Sequence, residues 1–416
     1  MRAVTFDVSV PRYLAAKSLG RVTSSVLYGR LSGVRMREVE LPDLPGPRWA
    51  RLEVLKAGIC GTDVGTITYS ASPVMEPFGS FPAVLGHEIL ARVVEVGPGV
   101  EAVEPGQRVV VDPMVSCGVR GRSSPDWCPS CAAGRHCTCE AAGEQGPLEV
   151  GGRPVAAGLT MGFHRSLPGG WGEQMLAHET QLFTVPDELG DHTAALVEPL
   201  AVGAHAALGV SPVRDEPVLV IGSGPIALGA VWALRASGFP GELVAQTKRE
   251  HEAKLALRLG ASGVVRPGEE AREAMVGTGA SAYMPLVGDE VWAGGGFPLI
   301  VDCVGSRSSL EQALRFASPR GRIVMLGCAA EIRKLDLTFV WARELRIEGF
   351  VGYGSETFRG RTAHTFEVVL DLLRETDAPV EKMVTHVYPL DQYREAVAAA
   401  ASRASTGSVK VLLDPT

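Results

Sequence analysis

Four cysteines, Cys117, Cys128, Cys131 and Cys139, stand in the spacing C-x10-C-x2-C-x7-C. Thiolates are soft ligands, the Cys128/Cys131 pair fits on one turn, and four protein ligands complete a tetrahedron with no position left for a substrate. The spacing therefore predicts a structural Zn²⁺ site. The competing reading is a set of free or disulfide-bonded cysteines, and Cys137 is a further thiol that competes with Cys139 for the last position. A second constellation is more scattered. Cys60, in Gly58-Ile59-Cys60-Gly61-Thr62-Asp63, and His87, in Gly86-His87-Glu88, each follow a predicted strand beside a small residue that permits a sharp turn. Alone, either is more often a buried core group than a ligand. With Glu198, in Val197-Glu198-Pro199-Leu200 ahead of an apolar helix, they form a Cys/His/Glu set able to hold zinc with one coordination position open, as catalysis requires.

The third piece of chemistry is an anion-binding turn. The apolar run Val218-Leu219-Val220-Ile221 leads into Gly222-Ser223-Gly224-Pro225-Ile226-Ala227. Gly222 permits the turn, Gly224 lets backbone approach a pyrophosphate, Ala227 allows close helix–strand packing, and the following helix offers unpaired N–H groups. At the end of the next strand a carboxylate would accept from the ribose 2′-hydroxyl of NAD and repel the 2′-phosphate of NADP. The sequence there is Gln246-Thr247-Lys248-Arg249. Loss of the acid and gain of two cations favour NADP(H) over NAD(H), against the alternative that Lys248 and Arg249 are the solvated start of a helix. Asp302-Cys303-Val304-Gly305 ends a later strand, and Val304 is expected to shape the nicotinamide pocket.

These groups call for two kinds of element. Strands are predicted over 34–41, 49–57, 89–96 and 108–112, punctuated by prolines and glycines, which is an all-β unit. Residues 117–139 are polar and lack apolar periodicity, so burial alone cannot fix their shape. From about residue 193 helix and strand alternate: helix 194–208, strand 217–221, helix 225–237, strand 242–245, helix 252–259, strand 299–304, helix 309–316 and strand 322–326, the pattern of a doubly wound parallel sheet. Segments 15–28 and 283–297 have no assigned place, and the second reads as an inserted loop. The 416 residues are 46% hydrophobic and 21% charged, and 40 Lys and Arg against 47 Asp and Glu leave a net charge of −7. That balance argues against nucleic-acid or anionic-membrane partners. Asp7, Pro11 and Arg12 interrupt any secretory apolar run, and the uncharged 217–234 contains Gly222, Gly224 and Pro225, so a cytoplasmic protein without a membrane span is expected.

Taken in order over nearly the whole chain, and with a C-terminal Val409-Lys410-Val411, these motifs resemble the zinc-containing medium-chain alcohol dehydrogenase family, especially its polyol, glucose and threonine dehydrogenase branches. The resemblance implies an α/β protein: a GroES-like β-rich catalytic domain (1–195 and 347–416, with a zinc lobe near 113–145) and a Rossmann domain (196–346). It implies two zinc ions per chain, the catalytic one on Cys60, His87 and Glu198. Glu88 would serve as an alternative ligand during exchange, Asp63 would orient the imidazole, and Thr62 would hand on the alcohol proton. The implied reaction is hydride transfer between NAD(P) and a secondary alcohol or ketone: a polyol, sugar, cyclitol or amino alcohol. A homo-oligomer, dimer or tetramer, is expected. Three positions depart from the family pattern: Ala91 replaces a glycine, Gly65 replaces a histidine of the proton path, and residues 118–127 lengthen the cysteine lobe. Tyr69, Trp171 and Phe350 are candidate pocket aromatics. The rival readings are a zinc-free quinone or enoyl reductase of the same superfamily and a non-catalytic binding protein that keeps the fold.

Overall fold

The strand Trp49–Ile59 is the spine of the first unit: it is paired on both edges, and most of its side chains are buried in the core. It pairs antiparallel with Ile89–Val96, with Gln174–His178 and with the C-terminal strand Lys410–Asp414. Register decides what meets at its end: Ala57 stands opposite Ile89, and Ile59 opposite Val411. Cys60, His87-Glu88 and Lys410 are thereby delivered to one place by three strand ends. The computed structural model describes residues 1–212, 215–327 and 331–416. Its contacts group residues 1–198, 353–355 and 384–416 as the first unit, and 199–352 with 356–383 as the second.

The first unit's sheet runs, edge to edge, through Leu182–Thr184, Arg108–Val111, Ile89–Val96, Trp49–Ile59, Lys410–Asp414 and Val384–Pro389. A smaller sheet places Arg2–Phe6 between Val34–Glu38 and Ala83–Val84. Trp171, fully buried, donates from Nε1 to the Gly58 carbonyl at 3.1 Å. Gly86 has φ +93°, and a Cβ there would stand 2.2 Å from the indole, so only glycine fits between His87 and this ring.

The second unit is a six-stranded parallel sheet in the order Gly263–Val265, Leu243–Gln246, Val218–Ile221, Phe297–Asp302, Ala317–Met325, Arg346–Gly349. Numbered along the chain this is 3-2-1-4-5-6, the dinucleotide-binding order, with its switch point beside the first strand. Ile221 stands level with Gln246 and Asp302, so the glycine turn and the ends of two neighbouring strands share one edge.

Several expectations change. The helix predicted over 194–208 is two helices, Asp191–Ala194 and Val197–Val210, which puts Glu198 in the first turn of the second. Residues 283–297 are not a plain loop: Ser281–Tyr283 pairs antiparallel with Val291–Ala293. Three-residue strands with one inward side chain, Trp292, leave no readable period. Segment 15–28 begins with the second half of a helix, Val10–Leu19, which has Pro11 in its first turn. The family resemblance implies a return to the first domain at residue 347, whereas 356–383 pack with the second unit, where helix Thr365–Glu375 buries Phe366, Val369 and Leu373. Among the described residues no helix is long and apolar enough to cross a membrane.

Candidate functional site

The sulfurs of Cys117, Cys128, Cys131 and Cys139 all lie within 4.8 Å of one another. Cys117 and Cys139 Sγ are 3.8 Å apart, the separation of about 3.8 Å that a tetrahedron with Zn–S near 2.3 Å requires. Backbone N–H groups of Cys128, Cys131, Glu140 and Cys117 donate to these sulfurs at 3.4–3.5 Å, an arrangement that favours thiolates. Hydrogen bonding from Cys131 holds Cys139 down at about 5, and the same contact pushes Cys131 up. The donor set fits zinc. Cys137 stands outside it: its sulfur accepts from the Tyr353 N–H at 3.2 Å. Seven of the eight cysteines are free, and Cys328 lies outside the described residues. Arg120, completely buried in this lobe, donates to the carbonyls of Val115, Ala142, Glu144, Ala156 and Gly158.

Cys60, His87 and Glu88 form the second group whose ligand atoms all lie within 4.8 Å. Cys60 precedes the helix Gly61–Ile67, and its N–H donates to Asp63 Oδ2 at 2.8 Å. Asp63 is wholly buried, with Oδ1 3.4 Å from His87 Nδ1. That contact is long for a hydrogen bond, and neither atom has a hydrogen-bond partner among the described residues, so a modest turn of the ring would join them. Burial opposes a charged imidazole, but the Asp63 carboxylate and Cys60 outweigh it and hold His87 well above its ordinary value. A soft thiolate beside an imidazole with a carboxylate behind it is a donor set that suits zinc.

The two carboxylates differ. Glu88 is gripped through both oxygens by Lys410 Nζ, at 2.6 and 2.5 Å, and Lys410 also reaches the Ile59 carbonyl at 3.3 Å. Glu198 is buried but is not in the close group. Burial pushes its carboxyl up to about 8; His87 and Lys410 oppose this and the Glu88 charge adds to it. Thr62 is exposed, with Oγ1 3.7 Å from Cys60 Sγ.

In the second unit Gly222 has φ +129° and a Cβ would press on Ala227, Val304 and Cys303 at 3.3–3.4 Å. Gly224 caps the helix Pro225–Ala236, which starts with Pro225 and Ile226. Asp302 Oδ1 accepts from the N–H groups of Val304 and Gly305, and Oδ2 accepts from Ser309, which fixes the loop after the strand. Gln246 and Thr247 are buried, Lys248 is exposed and Arg249 partly so. Of the candidate aromatics, Trp171 belongs to the core, Tyr69 packs on Phe6 and Tyr13, and Phe350 packs on His205.

Lys410, Arg120 and Glu252 have no role expected from the sequence. The signal for Lys410 was a cation inside the apolar strand Val409-Lys410-Val411-Leu412. Nothing local marks the other two.

Two family models match: the alcohol dehydrogenase GroES-like domain over residues 46–187 and the zinc-binding dehydrogenase domain over 225–367. The chain is 27% identical to an L-threonine 3-dehydrogenase of Anaeromyxobacter sp. (strain K), covering 88% of this chain and 92% of that one. It resembles the crystal structure of the alcohol dehydrogenase RspB of E. coli CFT073 with NADH, at TM-score 0.68 and 25% identity over 92% and 95% of the two chains. A Sinorhizobium meliloti 1021 protein described as a zinc-binding dehydrogenase and bound to NADP matches at TM-score 0.68 and 27% identity over 93% and 98%.

Proposed function

The chain belongs to the zinc-containing medium-chain alcohol dehydrogenase family, and we propose on that premise that this NAD(P)-dependent oxidoreductase interconverts a secondary alcohol and its ketone, the alcohol being a polyol, sugar, cyclitol or amino alcohol. The observation that carries the reading is the convergence of Cys60 and His87, from different strand ends, on one point with Glu198 buried nearby.

In this reading Cys60, His87 and Glu198 hold the catalytic zinc and Cys117, Cys128, Cys131 and Cys139 the structural one, giving two per chain. When bound, the catalytic ion polarises the substrate oxygen and the nicotinamide exchanges hydride with the carbinol carbon. The chain's own residues do the rest. Asp63 sets the tautomer and tilt of His87. Thr62, exposed beside Cys60, takes the alcohol proton. Lys410 grips Glu88 through both oxygens, so in this reading Glu88 is the reserve ligand and Glu198 the resident one. Gly222, Ser223, Gly224, Pro225 and Ile226 receive the pyrophosphate at the helix N-terminus, Val304 flanks the nicotinamide, and the neutral end at Gln246-Thr247 with Lys248 and Arg249 suits NADP(H). A homo-oligomer completes the reading, with sedimentation velocity as its test.

Metal analysis of the purified protein tests the core of it. Two zinc per chain, falling to one in Cys60→Ser and in Glu198→Ala, is the expected result. One zinc in the unmodified protein would overturn the catalytic assignment in favour of a zinc-free reductase or a non-catalytic protein.

A further inference from the structure

Glu252 is a completely buried carboxylate beside the glycine turn with no part in the scheme above. It occupies the first turn of the helix Glu250–Arg258 and reaches back across the strand ends. Ser223 Oγ donates to its Oε2 at 2.7 Å, and Arg249 Nη1 donates to its Oε1 at 2.6 Å. One carboxylate thus ties the tip of the turn to the loop that follows the strand Leu243–Gln246. Burying a carboxylate this far from water is costly unless it is paired and hydrogen-bonded, and Arg249 is a cation that pairs with it.

The pairing changes the electrostatics of the strand end. The sequence offers two cations there, Lys248 and Arg249, but the charge of Arg249 is already compensated. Gln246, at the position where an acid would select NAD, is also engaged: its Nε2 donates to Gln312 Oε1 at 2.9 Å, and Gln312 returns the bond at 2.5 Å. Lys248 remains, exposed at the surface.

We propose that Glu252 is a specificity-determining positioning residue: by holding Arg249 against the glycine turn it leaves Lys248 as the cation that meets the 2′-phosphate, and so moderates the preference for NADPH over NADH. The proposal rests on the reading that places the adenosine ribose at the end of Leu243–Gln246.

The test is the Kd of the zinc-loaded protein for NADPH and for NADH, by nucleotide fluorescence titration, in three variants. Lys248→Met is expected to weaken NADPH by about tenfold while NADH changes by less than about twofold. Arg249→Met loosens the turn and shifts both constants together, leaving their ratio within about twofold. Glu252→Gln keeps a side chain of the same shape, removes the negative charge and frees the guanidinium, and is expected to raise the NADPH:NADH selectivity by about fivefold. A purely structural role for Glu252 would lower the melting temperature and weaken both nucleotides equally, and that result overturns the proposal. So does an Arg249→Met variant that loses as much NADPH selectivity as Lys248→Met. If Lys248→Met leaves the ratio unchanged, the placement of the ribose is wrong and the proposal falls with it. If Lys248→Met lowers the ratio but Glu252→Gln does not raise it, Glu252 alone is misassigned.

Discussion

The four-cysteine lobe and the Cys60/His87 cluster use similar donors but are built in opposite ways. In the lobe the ligands are close in sequence, the sulfurs are held mainly by N–H groups of the same short segment, and the apolar cluster is made of the cysteines themselves with Ala141, Trp127 and Leu159. At the other cluster the ligands are far apart in sequence, and strands buried in the main core of the first unit carry them to one point. On the proposed reading the lobe would need a metal to have a shape, whereas the Cys60/His87 cluster has its shape from the sheet and would need a metal only for chemistry.

The largest expected effect tests the first half of that contrast. Cys139→Ser should remove the lobe's zinc and destabilise the first unit by on the order of 5 kcal/mol. Amide exchange should accelerate over 113–145 well before it does in the strand Trp49–Ile59. Uniform protection in the variant would mean that the lobe folds without metal. The second half is tested by Cys60→Ser, expected to lower kcat/KM at least about a thousandfold, with amide protection of Trp49–Ile59 unchanged and the melting temperature within a few degrees. Unfolding of that variant would show that the catalytic metal also holds the sheet together.

The same contrast explains what the sequence revealed. The strands and helices around the glycine turn are local signals, and those expected over 217–221, 225–237, 242–245 and 299–304 became elements within two residues of their expected bounds. The cysteine spacing is local too and put Cys139 in the set with Cys137 as a competitor; the Cys137 sulfur is engaged by the Tyr353 N–H from far along the chain. Cys60 and His87 were readable as candidates from their residue types beside small residues at strand ends, and the family resemblance supplied their roles; no short-range pattern says that these strands pair in this register. Lys410 was hidden because its partner, Glu88, is distant in sequence, and Glu252 because an acid in the first turn of a helix ordinarily faces water.

A smaller effect separates ligand from scaffold at the catalytic cluster. Lys410→Met takes the counter-ion from a carboxylate that is almost completely buried, and about 3 kcal/mol of stability should be lost at neutral pH. Glu88 then has the metal as its nearest cation, so zinc retention against a chelator should rise even as stability falls. A variant that loses both stability and zinc would show instead that Lys410 supports the site only by packing. Glu88→Gln in the same background should recover part of the stability, because no buried charge is left without a partner.

The smallest effect, which is graded with pH, lies on the lobe side of the comparison. His164 is fully buried, its Nδ1 accepts from the N–H groups of Ser166 and Leu167 at 3.2 Å, and its Nε2 donates to the Ala156 carbonyl that Arg120 also uses. A proton on Nδ1 would break two bonds and face the Arg120 charge. Burial first, and Arg120 second, hold His164 at about 4, below the ordinary value of 6.5. The unfolded chain then binds the extra proton more readily, so this stabilisation is complete above about pH 6.5 and disappears as the pH falls toward 4. The shift corresponds to about 3 kcal/mol in full, of which about 2 kcal/mol is gone at pH 5. Denaturant melts at pH 7 and pH 5 should show that loss in the unmodified protein, and His164→Gln, which has no proton to gain, should show a difference smaller by about 2 kcal/mol. An equal pH dependence in the two proteins would mean that His164 carries its proton in the folded state and that the carbonyls around Arg120 have room for a second cation.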